Sequence, residues 1–201
     1  MAILVPLVAG AVIATAPATP LPWFTLDDYP TKAFGDNLQG VTNFSVLVAP
    51  DGRAVSCTID KSSGHAVLDR QTCWIAVKRA RFTSARGADG RPAYGEYRSQ
   101  IVWRRPDRAA LQRGLGPDLA ITVNQLPAGT NDPAVKLAYF VDAQGNPSAC
   151  TPLPDSARQP QRLVDAACKA WFDHVARQPV TAHGAAVGAV RTAAVEISGA
   201  N

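Results

Sequence analysis

An α+β fold is predicted, built as two tandem two-layer units, each a small antiparallel β-β-α-β sheet with a helix on one face. Three observations predict it: a segment that occurs twice, apolar residues that alternate and then switch to helical spacing, and four cysteines in register. The stretch FSVLVAPDGRAVSCTIDKSSG (44–64) aligns with LAYFVDAQGNPSACTPLPDSA (137–157), setting Val48 on Val141, Gly52 on Gly145 and Cys57 on Cys150. LDRQTCWIAVKRARF then aligns with LVDAACKAWFDHVAR, setting Leu68 on Leu163 and Cys73 on Cys168. YGEYRS aligns with VGAVRT and brings Gly95 to Gly188 and Arg98 to Arg191. Two copies make a tandem of small domains and not a solenoid.

The chain opens with MAILVPLVAGAVIATAPATPLPWF, an apolar run at residues 2–16 followed by a Pro-rich segment. The run is shorter than the roughly 20 residues of a membrane span. Its length and the small residues Ala14 and Ala16 suit a secretory leader, with a short uncleaved anchor as the alternative. Residues 1–20 are therefore assigned to a signal peptide or short anchor and set aside from the fold. The first unit is assigned to 25–106. YPTKAFGDNLQG begins it as a short helix. Phe44, Val46 and Val48 alternate with Asn43, Ser45 and Leu47 in a strand. PDG (50–52) turns the chain, and Val55, Cys57 and Ile59 share one face of the second strand. In the helix that follows, Leu68, Thr72, Cys73, Ile75, Ala76, Val77 and Ala80 form the inner half, with Arg70, Gln71, Trp74 and Lys78 opposite. A third strand closes the unit at 97–103.

Residues 107–117 are read as a linker, in which DRAALQRGL is expected to form a helical turn or two. The second unit, 118–201, repeats the plan with differences. LPAGTNDPAV is too rich in Pro and Gly for a leading helix. Pro152 and Pro154 shorten its second strand or confine it to an edge. Its helix has Leu163, Val164, Ala167, Cys168, Trp171 and Val175 inside and Arg162, Asp165, Lys169 and Asp173 outside. Its last strand spans 190–197. In each copy the first cysteine lies on the inner face of strand two and the second on the facing helix. The expected bridges are Cys57–Cys73 and Cys150–Cys168. Each closes a short loop and stabilises a small core by about 3 kcal/mol in the loop-entropy account.

Composition narrows the function. A net charge of +4 and 7% aromatic residues do not suit nucleic acid. Ser62, Ser63, His65 and Asp69 resemble a catalytic cluster, but the second copy holds no matching set. They read more simply as the end of a strand and the start of a helix. The cysteines lack C-x-x-C spacing, and His65, His174 and His183 occupy unrelated positions, so no metal and no cofactor is expected. KRARF reads as a solvated, basic helix end.

Taken in order, YPTKAF…G, FSVLVAPDGRAVSCTIDKSSG, LDRQTCWIAVKRARFTSARGADGRPAYGEY and IVW resemble the C-terminal domain of the TonB energy-transducer family. The resemblance covers residues 28–106 well and 134–198 weakly. It implies a helix-strand-strand-helix-strand order and a non-catalytic, periplasmic, protein-binding role. The implied partner is an outer-membrane transporter or another envelope protein, which adds a strand beside the last strand of the sheet. Carried over, the docking edge is Tyr97, Arg98, Ser99, Gln100, Ile101 and Trp103, with Arg98 and Gln100 on one face and Ile101 and Trp103 on the other. A competing arrangement buries Ile101 and Trp103 and covers the edge with 119–123. PATPLP is too short to cross a periplasm, so the implication is binding and not force transduction. Membrane contact would come only through an uncleaved N-terminus, and exposed edges leave strand-paired homodimers open. The alternative function is an exported enzyme or inhibitor that reuses the scaffold, with its site in the cleft between the units.

Overall fold

The structure, a computed structural model, describes residues 11–18, 23–109, 111, 114–128, 130 and 134–200. From the N-terminus come β1 (Ala16–Pro17), a 3-10 turn (Leu26–Asp28), α1 (Thr31–Gly35), β2 (Gly40–Val48), β3 (Ala54–Lys61) and α2 (Ala66–Arg79). The first half continues with β4 (Phe82–Thr83), β5 (Ala85–Arg86) and β6 (Pro92–Trp103). The second half contains β7 (Leu119–Val123), β8 (Ala134–Val141), β9 (Pro147–Pro152), α3 (Gln161–His174), β10 (Val180–Ala182), β11 (Ala185–Val187) and β12 (Ala189–Gly199). Apart from the short strands β4, β5, β10 and β11, the order is β2-β3-α2-β6 in the first half and β8-β9-α3-β12 in the second.

The same local chemistry shapes both hairpins. Gly52 and Gly145 sit at φ +81° and +85°, where a side chain is strained. A Cβ at Gly52 would lie 2.2 Å from the Phe82 carbonyl oxygen, and one at Gly145 2.8 Å from the Gln178 backbone. In each case the segment that follows the helix crosses against the turn. Both disulfides form as expected: Cys57–Cys73 spans 5.4 Å between Cα atoms and Cys150–Cys168 spans 6.0 Å. Pro152 ends β9, which lies at the outer edge of the sheet.

The two halves share one sheet, in the order β3-β2-β6-β12-β8-β9. The joint between β6 and β12 is parallel and two residues long, Ala189 with Tyr94 and Val190 with Gly95. Paired residues in a ladder point to the same face. Val190 therefore shares a face with Gly95 and the other odd-numbered residues of β6. Ile101 and Trp103 on that face pack under α2. Ala193, Val195 and Ile197, on the other face of β12, pack under α3. The two helices thus cover opposite faces of a single sheet. The first core is Phe44, Val46, Val48, Leu68, Ile75 and Trp103, and the second is Leu137, Tyr139, Leu163, Val164, Trp171 and Val195.

Three expectations are corrected. No helical turn of the 107–117 linker forms among the described residues. The strand 119–123 pairs in parallel with β12 and not with β6. Residues 11–18, set aside with the leader, lie within the fold. Val12 is buried with Ala85, Ala138 and Val190, and Ala16 and Pro17 pair with Thr83 and Phe82. Residues 1–10, 19 and 20 of the expected leader lie outside the described residues.

Candidate binding surfaces

The cluster at 62–69 is a structural latch. Asp69, on the first turn of α2, is buried. Its carboxylate accepts hydrogen bonds from Ser62 Oγ at 2.5 Å, the Ser63 N–H at 2.9 Å and Thr42 Oγ1 at 3.0 Å. Burial pushes the carboxyl up, and these donors more than reverse that, holding it below its ordinary 3.8. His65 holds the N-cap position of α2; its N–H donates to the Ser63 hydroxyl, and its carbonyl accepts from that hydroxyl and from the Leu68 and Asp69 N–H groups. The serines and Asp69 thus fasten the end of β3 and the strand β2 to the helix start, with no nucleophile–base pair.

KRARF is less solvated than its composition suggests. Arg79 reaches back 2.5 Å to the buried Asp28, and Gln71 Nε2 donates to the Asp28 carbonyl at 3.1 Å. These bonds draw residues 23–38 over α2. Phe24 and Tyr29 stack edge-on against Trp103, whose Nε1 donates to Thr72 Oγ1 at 3.1 Å. Trp103 is 1% exposed and Ile101 6%, so both side chains belong to the core. The half of the competing arrangement that buries them holds, and the half that places 119–123 on β6 does not.

On one side β6 pairs with β2 from Gly95 to Trp103. On the other, pairing with β12 stops at Tyr94 and Gly95. Among the described residues no strand besides β2 pairs with 96–103. A slot therefore opens in the sheet, bounded by β6, by β12 and by the start of β7. Asp118 stands at its head. Its carboxylate takes Arg98 Nη1 at 2.6 and 2.8 Å and the Ala194 N–H at 2.9 Å. Arg191 Nε, the counterpart of Arg98 in the second copy, donates to Glu96 at 2.9 Å. Both ion pairs cross between the halves on the α3 face. Gln100 Oε1 accepts the Gly114 N–H at 3.0 Å, which brings the linker to the mouth of the slot. A cavity of about 480 Å³ lies there, lined in part by Ser99, Gln100, Leu153, Thr192 and Ala194. None of the three histidines lines it.

Of the six predicted edge residues, then, Tyr97, Ile101 and Trp103 face the α2 core, Arg98 faces Asp118, and Ser99 and Gln100 line the cavity. The interunit ion pairs were not foreseen. The one signal for them was Arg98 and Arg191 falling at matching places. Among the described residues no group of three or more His, Cys, Asp or Glu is placed to hold a metal, and no helix is long and apolar enough to cross a membrane.

Strand addition to an open side of a sheet is a recurring mode of peptide recognition. Residues 27–104 match the model of the Gram-negative bacterial TonB protein C-terminal family. The match ends where the linker begins and does not reach the second half. Neither the curated proteins nor the solved structures give any match to the chain.

Proposed function

We propose that the chain is a non-catalytic periplasmic binding protein whose second half is a divergent copy of the TonB C-terminal domain. An extended segment of an outer-membrane transporter or another envelope protein adds as a strand along 96–103 of β6. The observation that carries this reading is the slot: backbone N–H and C=O groups of β6 face a gap in the sheet and not a neighbouring strand. Such groups supply affinity in strand addition, and side chains at the rim supply selectivity. Arg98 and Asp118 would supply charge there, and the Gln100–Gly114 bond is the contact an entering strand displaces.

Successive residues of a strand direct their N–H groups to opposite sides. Proline at Ser99 and proline at Gln100 therefore differ: one removes a bond to β2, the other a donor facing the slot. The slot-facing variant should keep its near-ultraviolet circular dichroism and lose binding of peptides that carry the extended docking motif of outer-membrane transporters. The other should be destabilised. If the folded variant binds as well as wild type, the partner site lies elsewhere. A second reading, an exported enzyme or inhibitor, rests on the 480 Å³ cavity between the halves. It predicts a small-molecule ligand whose binding shifts the amide resonances of Ser99 and Thr192.

A further inference from the structure

Residues 11–18 cross the sheet face opposite α3 as an extended strap. They run antiparallel to 81–86, and backbone contacts hold them there. Ile13 and Arg86 exchange two hydrogen bonds, at 3.0 and 2.9 Å, and the Ala18 N–H donates to the Arg81 carbonyl at 2.8 Å. Thr151 Oγ1 donates to the Val12 carbonyl at 3.0 Å, and Thr15 Oγ1 to the Thr83 carbonyl at 2.7 Å. Val12 fills a pocket built by both halves, from Ala85 and from Ala138, Val190, Phe140 and Leu153. The floor is cut to fit a passing chain: a Cβ at Gly95 would lie 3.1 Å from the Thr15 Cβ and 2.7 Å from the Ala85 Cβ. The strap nevertheless underfills its seat. A cavity of about 550 Å³ remains beside it, bounded by the strap's small residues, by β6 at 96–98 and by 151–154.

We propose that this seat is a second peptide-docking groove, separate from the slot at β6, which residues 11–18 occupy in cis. Its trans occupant is an extended segment of a partner protein with a branched apolar residue at the place of Val12 and a residue larger than alanine at the place of Ala14. Three observations support this occupant. The bound strap shows the chemistry the groove accepts: edge pairing plus one buried apolar anchor. The leftover volume lies against Ala14. The strap also contains the Ala14–Ala16 cleavage pattern, so processing before Pro17 would leave the anchor pocket and the Arg86 N–H and C=O without their partners.

The test uses the full chain. Val12→Asp places a charge in the apolar pocket and should expel the strap while both disulfide-stapled cores stay folded. A synthetic peptide of residues 11–18 should then bind the Val12→Asp chain about tenfold or more tighter than the wild-type chain, whose own strap competes at high effective concentration. It should shift the amides of Thr83, Arg86 and Thr151. The same peptide carrying Val12→Asp should bind about tenfold more weakly, and one carrying Ala14→Leu more tightly. Absence of binding, equal binding to both chains, or loss of the fold in Val12→Asp would overturn the groove and make the strap ordinary core. Weaker binding of the Ala14→Leu peptide would overturn the larger residue. A wild-type dimer that exchanges straps would give the seat to a second copy and overturn the partner. The folded, slot-facing proline variant of β6 leaves this seat intact, so either site can fail alone.

Discussion

The two halves share a backbone plan and a disulfide but hold their helices by different chemistry. In the first half the helix start is tied by a buried carboxylate, Asp69, to Ser62, Ser63 and Thr42, and Thr72 accepts the indole N–H of Trp103. In the alignment Val164 and Ala167 stand at those two helix positions, and both are buried in an apolar core. The first half has its own lid, residues 23–38, fastened by the Asp28–Arg79 pair. The second half has β7, the strap and its joint with β6. The motif SSG…LD, which carried the family resemblance, is therefore the latch itself. The second half keeps the turn glycine and the disulfide but has apolar packing in place of the polar latch.

The sharpest way to break this comparison is to give the first half the residue of the second. Asp69→Val should cost about 3 kcal/mol, because it leaves the Ser62 and Thr42 hydroxyls and the Ser63 N–H without their acceptor near a buried site. Adding Thr42→Val should recover part of the loss, since removing both partners is cheaper than removing one. Urea unfolding with a double-mutant cycle reads both effects. A cost for Asp69→Val below about 1 kcal/mol would mean that latch and apolar packing are interchangeable.

Next come the staples, where the halves should behave alike. The bridged cysteines are 16 and 18 residues apart. Loop entropy assigns each bridge about 3 kcal/mol with almost no difference between them. Removing each pair by serine substitution and comparing thermal unfolding should give nearly equal losses. A strongly unequal result would locate the difference in the cores and not in the loops. A smaller effect tests the joint. Asp118→Ala removes the acceptor of Arg98 and of the Ala194 N–H, and should cost about 2 kcal/mol. It should also separate the unfolding of the halves, so that calorimetry shows two transitions where wild type shows a more coupled one. A single unchanged transition would mean that the β6–β12 ladder alone couples them.

The strands, hairpin turns, helices and cysteine pairs were legible because each rests on short-range pattern: period two, a turn glycine, period 3.6 and two residues on facing elements. The edge status of β9 followed from Pro152 for the same reason. The shared sheet was not legible. Its joint uses backbone groups at Tyr94 and Gly95 that any sequence carries, and its ion pairs unite Arg98 with Asp118 and Arg191 with Glu96, residues that read separately as surface charge. The strap was hidden differently. Small apolar residues with Ala14 and Ala16 satisfy both a leader and an extended edge strand, and composition does not separate the two. Asp69 was visible as a residue but not as a buried one. Its signal was the pair of serines six and seven residues upstream, whose donors need an acceptor.

Acid should distinguish the halves by the smallest and most specific margin. Asp69 and Asp28 are both buried carboxyls of the first half that burial pushes up. Hydrogen bonds, and for Asp28 the Arg79 guanidinium, then bring each below its ordinary 3.8. A carboxyl whose pKa is lower in the folded chain than in the unfolded one stabilises the fold above its unfolded value and loses that contribution as the pH falls through its folded one. The first half should therefore hold a constant stability from neutral pH down to about 4 and weaken below it. In the second half Asp142 is also lowered, by Asn146, but it sits on a solvent-facing turn where such bonds contribute little. Amide exchange followed residue by residue from pH 6 to pH 3 should show α2 opening before α3. Asp69→Asn should flatten the acid limb of α2, because its side chain no longer titrates, while Asp142→Asn leaves α3 unchanged. If α3 opens first in wild type, the carboxylates of the first half do not set its acid limit, and the polar latch is no weaker at low pH than the apolar core.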